Sequence, residues 1–356
     1  MFFLSSALIV AETERKRYRM IDIAQRANVS RTAVTHVLTG AGTGRIGGVS
    51  AAKAAEIRQI AAELGYVPNQ TAQQLAGKRS GIVGALARTW NMATERRLHG
   101  WLQQVANARG FDVLGAQSND ELKSVERFLD NCQSRGVDGL LVMAFASDDL
   151  WSKAAPLLSR FPRVIALVGN PQIEAIPCVA SDVAGGTFQG VRHLHENGRR
   201  RIVQILENLN TAMNHCRQQA FFDAHRQLGR PVDGDQICLA TEGWTENDFA
   251  KMYPVCGDLL ARGTDAILAD TDFTASMLIR ALHEHGQRVP DDVAVVGWGN
   301  EDMAPWCNPQ ITTTSYQFNE VATTAVDMLG EWIETPERIG IPSQVVPMKL
   351  IVRESA

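Results

Sequence analysis

The sequence lacks the short motifs that mark the common classes of enzyme. Its 356 residues contain no G-x-S-x-G, no HExxH and no phosphate-binding P-loop. The Tyr-x-x-x-Lys pair of short-chain dehydrogenases is missing as well. We therefore expect a protein that is not an enzyme, with no cofactor and no metal site.

Cysteine is sparse and scattered along the chain. The six cysteines, at positions 132, 178, 216, 238, 256 and 307, form no CxxC pair. This spacing indicates neither a zinc site nor a small disulfide framework. It is typical of reduced thiols that pack in the interior of a cytoplasmic protein.

No apolar run is long enough to cross a membrane. The best candidate, Phe2 to Ala11, covers about ten residues, whereas a membrane-spanning helix needs about 20. No basic segment precedes this run, which makes it a poor signal peptide. We expect residues 1–18 to be an N-terminal extension, the protein to be cytoplasmic, and no membrane to be among its partners.

Charge is unevenly divided along the chain. Residues 1–80 hold 11 Lys and Arg against 5 Asp and Glu, and the rest of the chain holds 24 against 34. The net charges of the two parts are therefore +6 and −10, which gives the −4 of the whole chain. A small basic domain on an acidic body is typical of a protein that binds nucleic acid.

The basic part carries the pattern of a helix-turn-helix. Apolar positions at helical spacing predict helices at Met20 to Ala27, Arg31 to Leu38 and Ala51 to Leu64. Ser30 is a suitable N-cap for the second helix, which would lie in the major groove of DNA. The residues expected to face the helical core are Ile21, Ile23, Ala24, Ala33, Val34 and Val37. Those expected to contact DNA are Ser30, Arg31, Thr32, Thr35 and His36.

The same region admits a second interpretation. Gly42 to Gly47 is a literal GxGxxG that follows the β-branched run Val34 to Thr39 and precedes a helix, as a dinucleotide-binding turn does. Such a turn requires an acidic residue about 20 positions later, at the end of a second strand. Those positions read GYVPNQTAQQ, which has neither the acid nor a strand. An NAD(P)-dependent oxidoreductase that uses this turn is one alternative function, and a solute-binding protein is another.

Three stretches carry a resemblance to a known family. DIAQRANVSRTAVTHVL, LGYVPN and AQQLAGKRSGIVGAL resemble the lactose-repressor/galactose-repressor family of bacterial transcription regulators, and the likeness extends in order through almost the whole chain. The resemblance implies binding to double-stranded operator DNA. It also implies a hinge helix in the minor groove, where Leu75 wedges open the central base step beside the small Ala72. Further DNA contacts are expected from Asn69, Lys78 and Arg79.

Beyond Ser80 the pattern changes to alternating strands and helices. Short apolar runs such as GIVGALA, VDGLLVMAF, RVIALVG and VAVVGWG are typical of buried parallel strands, and helical stretches separate several of them. We predict a small all-α helix-turn-helix headpiece followed by an α/β core of parallel sheets covered by helices. The family resemblance makes this core two-lobed and periplasmic-binding-protein-like.

Four segments are expected along the chain. They are the extension at 1–18, the headpiece at 19–67, the hinge helix and linker at 68–80, and an effector-binding and dimerisation core at 81–356. The first lobe of the core is predicted at about 81–180 and 312–337, and the second at about 181–311 and 338–356. No heptad tail follows the last core strand, so we expect a homodimer rather than a tetramer built through a tail.

The effector is expected at the carboxyl ends of the strands, in the cleft between the lobes. The resemblance assigns the pocket arginine of the family to Arg217, and it places Thr271 and Asp272 where the family usually has Asn-Asp. Asp272 is equally a candidate N-cap of the helix that follows. The other candidate effector contacts are Arg88, Trp90, Asn170, Trp244 and Asn300.

Two departures from the family pattern concern the effector. Gly299 stands where an aspartate is common in the family, and the strand that ends at Gly169 and Asn170 lacks another common aspartate. Carboxylates at such places chelate neighbouring sugar hydroxyls. We therefore predict a repressor whose operator binding is controlled by a small polar metabolite, with sugars as one class among others.

Overall fold

The computed structural model describes residues 18–39, 49–66, 79–89, 93–143, 148–168, 176–207, 212–240, 249–338 and 340–356. The chain forms two compact units that divide between Ser80 and Gly81. In the described residues, the first unit contains three helices, and the second contains two six-stranded sheets with helices on their faces.

The first unit is the headpiece. Its helices are α1 (Met20–Arg26), α2 (Arg31–Thr39) and α3 (Ala51–Glu63), which agree with the predicted helices to within one residue at each end. The Ser30 hydroxyl accepts a hydrogen bond from the Ala33 amide at 3.1 Å and so caps α2, as predicted.

One apolar cluster holds the three helices together. Its buried members are Ile23, Ala24, Ala27, Val34, Val37, Ala54, Ile57, Ile60 and Ala61. The inward orientation predicted for Ala33, Val34 and Val37 is confirmed, since all three are buried. The prediction for Ile21 is wrong, because its side chain is 46% exposed. Positions 20, 23, 24 and 27 repeat at helical spacing, and position 21 falls outside that stripe.

The dinucleotide-binding interpretation is wrong at its first element. Val34 to Thr39, which that interpretation takes as a strand, belongs to helix α2. The motif requires a strand that leads into the glycine turn. Gly42 to Gly47 lies outside the described residues, but the helix before it removes the context that a nucleotide site needs.

The first sheet of the core is built from six parallel strands. They are β1 (Ile82–Ala87), β2 (Asp112–Gln117), β3 (Gly139–Met143), β4 (Val164–Val168), β5 (Cys178–Ser181) and β11 (Gln344–Val346). Their order is β11-β5-β4-β3-β1-β2. The helices on its two faces are α4 (Ala93–Ala108), α5 (Leu122–Ser134), α6 (Asp148–Leu158) and α11 (Phe318–Glu334). We call this sheet with its helices the first lobe.

The second sheet has one antiparallel edge. Its strands are β6 (Ile202–Glu207), β7 (Ile237–Ala240), β8 (Ala266–Leu268), β9 (Ala294–Trp298), β10 (Thr312–Ser315) and β12 (Lys349–Ile351). The order is β12-β10-β9-β8-β6-β7, and β12 runs antiparallel to β10. The helices on one face are α7 (Val183–Glu196) and α8 (Ala212–Gln227), and those on the other are α9 (Phe249–Ala261) and α10 (Asp272–Glu284). This is the second lobe, and the predicted α/β core is confirmed.

The chain passes between the lobes three times. It leaves the first lobe after β5, at residue 182, returns after β10, at residues 316–317, and leaves again after β11, at residues 347–348. The structure corrects the predicted lobe boundaries at two places. Strand β10 belongs to the second lobe because it pairs with β9, and β11 belongs to the first because it pairs with β5.

Candidate DNA interface and effector site

The outer face of α2 presents the side chains that are predicted to read DNA. Arg31 and Thr32, at the first two positions of the helix, are exposed, and His36 is half-buried. Side chains near the N-terminal end of a recognition helix are those that reach base edges. The Thr35 hydroxyl donates to the Arg31 carbonyl oxygen at 2.9 Å, and the Ser30 hydroxyl is used as the helix cap. Arg31 and Thr32 are therefore the best-placed base contacts.

Most of the predicted hinge lies outside the described residues. This holds for Asn69, Ala72, Leu75 and Lys78, whose DNA contacts stay predictions. Arg79 is described and exposed. An exposed arginine at this point is suited to a phosphate contact, which positions a protein on the duplex without reading its sequence.

Arg217 of α8 lies at the carboxyl edge of the second sheet. It is 5% exposed, and its guanidinium donates to the carbonyl oxygens of Asp270, at 3.0 Å, and Ala269, at 3.2 Å, just beyond the end of β8. The guanidinium carbon also lies over the Trp298 ring, 4.2 Å from its centroid, at the end of β9. The predicted pocket arginine is thus held where parallel sheets bind their ligands.

Thr271 and Asp272, which follow β8 closely, have different roles. The N-cap of α10 is Thr271, whose hydroxyl accepts from the Thr274 amide at 3.0 Å. The N-cap interpretation of Asp272 is therefore wrong. Asp272 is fully buried and accepts from the Glu301 amide at 2.5 Å. A side chain at Gly297 would collide with this carboxylate, so Asp272 holds the turn after β9 from inside the lobe.

The turn after β9 explains the glycine at position 299. Gly299 has a φ of 114°, a backbone conformation that an L-residue with a side chain rarely adopts. Its amide donates to the Thr314 carbonyl oxygen at 2.7 Å. Asn300, a predicted effector contact, accepts instead from Arg353 at 2.8 Å through its side-chain oxygen. An aspartate at position 299 would be strained in this backbone conformation.

Arg97 joins the two lobes at this turn, and the sequence analysis missed it. It belongs to α4 of the first lobe, and its guanidinium donates to the carbonyl oxygens of Gly299, at 3.2 Å, and of Asn300. It also forms an ion pair with the exposed Asp302 at 3.5 Å. The sequence signal was a pair of arginines on an amphipathic helix, which is also the pattern of an ordinary solvated face.

Arg88, predicted to line the pocket from the first lobe, directly follows β1. Its guanidinium pairs with Glu95 at 2.9 Å and with Asp120 at 3.6 Å. Glu95 also accepts from the Thr89 amide at 2.7 Å, although burial raises the pKa of Glu95 above its usual value. Asn119 and Asp120 both have positive φ, at 51° and 58°, which is uncommon for residues other than glycine. This network shapes the carboxyl edge of the first sheet.

Two carboxyl groups with raised pKa values, Asp270 and Glu301, lie at the carboxyl edge of the second sheet. Asp270 is 3% exposed, and neither of its carboxylate oxygens has a hydrogen-bond partner in the described part of the chain. Burial raises its pKa, and this outweighs the opposite effects of Thr274 and Arg217. Burial, with the neighbouring Asp272, raises the pKa of Glu301 to about 7. Shifted carboxyl groups of this kind cluster at functional sites.

Several expectations fall beyond what is described. Trp90, Asn170 and Trp244 lie outside the described residues, so their roles stay predictions. Among the residues that are described, no group of three or more His, Cys, Asp or Glu is arranged to hold a metal ion. In the same residues, no helix combines the length and the apolar character that a bilayer span requires.

Comparisons with known proteins match both units of the chain. Residues 19–69 match the bacterial regulatory proteins of the lacI family, and residues 191–356 match the periplasmic binding protein-like domain. The HTH-type transcriptional regulator DegA of Bacillus subtilis (strain 168) is 26% identical over 94% of this chain and 96% of its own. The HTH-type transcriptional regulator CelR of Thermobifida fusca is 28% identical over 96% of this chain and 99% of its own.

Solved structures share the fold. The Lac repressor dimer bound to operator and the anti-inducer ONPF matches with a TM-score of 0.78 and 23% identity, over 96% of this chain and 99% of that one. A complex of the transcriptional regulator CelR with cellobiose matches with a TM-score of 0.67 and 24% identity, over 96% and 100%. These matches confirm the predicted headpiece and two-lobed core.

The two family matches together span more than half of the chain. They occur in a single chain whose curated relatives match it over nearly their whole length and are transcription regulators. The resemblance predicted from the headpiece and hinge is confirmed. The chain thus combines a DNA-binding headpiece of the lacI type with a periplasmic-binding-protein-like core, as its curated relatives among the transcription regulators do.

Proposed function

We propose that this chain is a cytoplasmic, nucleoid-associated repressor that binds operator DNA as a homodimer and responds to a small polar metabolite in the cleft of its core. It acts as a regulator and not as an enzyme. The DNA-binding part of the proposal rests on the N-terminal end of α2. Arg31 and Thr32 are exposed there, whereas the apolar side chains of the helix are buried in the headpiece cluster.

The effector part of the proposal rests on Arg217. Its guanidinium is buried at the ends of β8 and β9, where it donates to the main-chain carbonyl oxygen of Asp270. The buried carboxyl group of the same Asp270 supplies a hydrogen-bond acceptor in this region. Few convergent polar groups in a mostly apolar cleft are typical of a small-molecule site. Gly299 stands where an aspartate is common in the family. This chain must therefore bind its effector through contacts that differ from those of the sugar-binding members.

Relatives suggest which molecules to try first. They include a ribose operon repressor of Haemophilus influenzae and the CelR protein whose solved complex holds cellobiose. Ribose and cellobiose are therefore suitable probes for a thermal-shift experiment on the full chain. A ligand that binds only the folded state raises the melting temperature.

The variant that tests the effector site is Arg217→Ala. We expect it to abolish the thermal shift of whichever probe binds, and to leave operator affinity unchanged. Arg192→Ala is a matched control, since Arg192 also lies over an aromatic ring of the second lobe, that of Phe188 at 5.8 Å, and it should keep the shift. If Arg217→Ala retains the shift, the pocket lies elsewhere. If operator binding is lost together with folding, Arg217 is structural.

The variant that tests the hinge is Leu75→Ala. An apolar wedge unstacks a base step and kinks the duplex, which costs a few kcal/mol that the extra contacts of the bent duplex offset. We expect Leu75→Ala to weaken binding to an operator selected from random duplexes, to change non-specific binding little, and to reduce the bend in a circular-permutation assay. An unchanged bend with unchanged operator affinity would contradict the proposal.

An exposed aromatic residue on the second lobe supports homodimerisation. Trp306 is 86% exposed, and the residues that follow it, Cys307 and Asn308, line a groove together with Ser276, Ile279, Arg280, His283 and Glu284 of α10. Aromatic side chains of this kind are enriched at protein interfaces. We expect Trp306→Ser to shift the chain from dimer to monomer in sedimentation analysis. An unchanged sedimentation weight would place the dimer contact elsewhere.

A further inference from the structure

One apolar cluster contains a residue from, or next to, each of the three crossings between the lobes. Its buried members are Val183, Trp298 and Met348, and Tyr316 packs against them. Val183 directly follows the first crossing, Tyr316 lies in the second and Met348 lies in the third. Trp298 ends β9 and is 2% exposed. We therefore expect a change in the angle between the lobes to alter the packing of this cluster.

The crossings are packed closely around the ring. The Trp298 indole nitrogen donates to the Tyr316 hydroxyl at 2.7 Å, and the two rings meet edge to face with centroids 5.9 Å apart. The Met348 carbonyl oxygen accepts from Gln189 of α7 at 2.9 Å. A side chain at Gly186 would collide with Met348. Such a close-packed arrangement transmits displacement instead of absorbing it.

From Tyr316 the ring contacts continue into the first lobe. The rings of Tyr316 and Phe318 are stacked, with centroids 5.2 Å apart and planes 18° from parallel. The Arg97 guanidinium lies over the Phe318 ring at 5.4 Å. Arg97 is also the residue that donates across the cleft to the carbonyl oxygens of Gly299 and Asn300. The series of ring contacts thus ends at Arg97, whose hydrogen bonds join the first lobe to the second.

The other end of the path is the effector-site arginine. Arg217 covers the Trp298 ring at 4.2 Å and is fixed to the end of β8 by its two hydrogen bonds. A cation on an aromatic face is attracted by the ring quadrupole, and the attraction grows when water is excluded. Each end of the path is therefore an arginine over an aromatic ring, one in each lobe.

We propose that this hinge stack couples occupancy of the effector site to the angle between the lobes. The hinge stack is defined as Arg217, Trp298, Tyr316, Phe318 and Arg97. The inference rests on the proposed effector role of Arg217. An effector that engages the Arg217 guanidinium changes its contact with Trp298. The packed crossings then carry that change to Phe318 and Arg97, because packed elements move between discrete arrangements.

The first test measures this coupling without any effector. The amides of residues 299–301 are all hydrogen-bonded, so their hydrogen exchange reports opening of the turn that Arg97 holds. In the full chain, we expect Arg217→Ala to speed exchange at 299–301 and at the crossings by about 2- to 30-fold, the range found for linked sites. The matched control Arg192→Ala should leave these segments unchanged.

A second pair of variants separates coupling from damage to the fold. Arg217→Lys keeps the charge but loses the planar guanidinium that stacks on the ring, so it should speed exchange much as Arg217→Ala does. Phe318→Leu keeps an apolar side chain but removes the ring beneath Arg97. We expect it to speed exchange at 299–301, and to add little more when combined with Arg217→Ala.

Specific outcomes overturn the proposal. Distant residues without shared partners have additive effects, so additive changes in the double variant would show that the two ends are independent. Faster exchange confined to α8 in Arg217→Ala would show the same. Because the exchange experiments contain no effector, these outcomes would contradict the coupling and would not contradict the proposed effector site. Conversely, if Arg217→Ala retains the thermal shift of a bound probe, the proposed effector site is contradicted. The coupling measured by hydrogen exchange would still hold.

Discussion

The headpiece and the core differ in where they place their polar functional groups. In the headpiece, the buried cluster is apolar, and the candidate DNA contacts Arg31 and Thr32 lie in solvent. At the carboxyl edge of the second sheet the reverse holds, since Arg217, Asp270 and Asp272 are all buried. The candidate functional side chains are thus separate from the packed core in the headpiece and part of the buried interior in the second lobe.

This difference has a consequence for variants. A change on the outer face of α2 should affect DNA binding and leave folding intact. A change at the edge of the second sheet should affect folding, the angle between the lobes and ligand binding together. The predictions that follow either strengthen or contradict this contrast.

The largest effect is expected from the headpiece core. Ile57 is fully buried, and truncation of such a residue costs about 2–5 kcal/mol. We expect Ile57→Ala to unfold the headpiece and abolish DNA binding, while the thermal transition of the core stays in place. Ile21→Ala is the matched control, because Ile21 is 46% exposed. Equal effects of the two variants, or a shifted core transition, would contradict the described headpiece.

The next effect concerns acid stability of the core. His225 is fully buried and shares a hydrogen bond of 3.0 Å with His195. Burial, assisted by His195, lowers the pKa of His225 from 6.5 to about 4. Between these values the unfolded chain binds a proton that the folded chain does not, so stability rises with pH across this window. Acidification from pH 7 to 4 should cost about 2–3 kcal/mol through this residue.

The measurement is urea unfolding across that pH range. His225→Gln should flatten the dependence on pH, whatever it does to stability at pH 7. His283→Gln is the control, since His283 is exposed at the end of α10, and it should keep the wild-type dependence. Identical slopes in wild type and His225→Gln would show that other groups cause the acid sensitivity.

A third prediction isolates base reading. Arg31→Ala should weaken operator binding by about 1–3 kcal/mol and relax the preference at one half-site position. The melting temperature should not change, because Arg31 is exposed. Arg26→Ala, which removes an exposed arginine of α1 that pairs with Glu63 at 3.5 Å, should have little effect on specificity. Equal weakening on every duplex would make Arg31 a phosphate contact.

The smallest effect is expected from a surface ion pair between the lobes. Lys349 of β12 contacts Glu320 of α11 at 3.0 Å, and both side chains are about half exposed. Exposed pairs contribute about 0–1 kcal/mol and are screened by salt. We expect Lys349→Ala to change unfolding by no more than this, and not at all at high salt. A larger effect that salt removes would mean that surface charge contributes more to holding the lobes together than an ordinary exposed pair does.

Pattern reading succeeded where the signal was local. The helices of the headpiece and the strands that begin at Ile82 and Ala294 follow from apolar spacing alone. It failed for Ile21, which follows Met20 directly and lies outside the buried stripe of the helix. It also failed for the boundaries of the lobes, which depend on the strands with which β10 and β11 pair. Pairing of distant strands leaves no mark in a short window of sequence.

Residue type and spacing were sufficient for the headpiece, the parallel strands and the position of Arg217 along the chain, because each depends on neighbours within a few residues or on a family motif. Tertiary contacts alone decided what Arg217 touches. They also decided that Arg97 crosses the cleft, that Asp272 holds a turn and does not cap a helix, and that residues of the three crossings share one apolar cluster with Trp298. Those contacts join residues that lie tens to hundreds of positions apart, and only the folded chain brings them together.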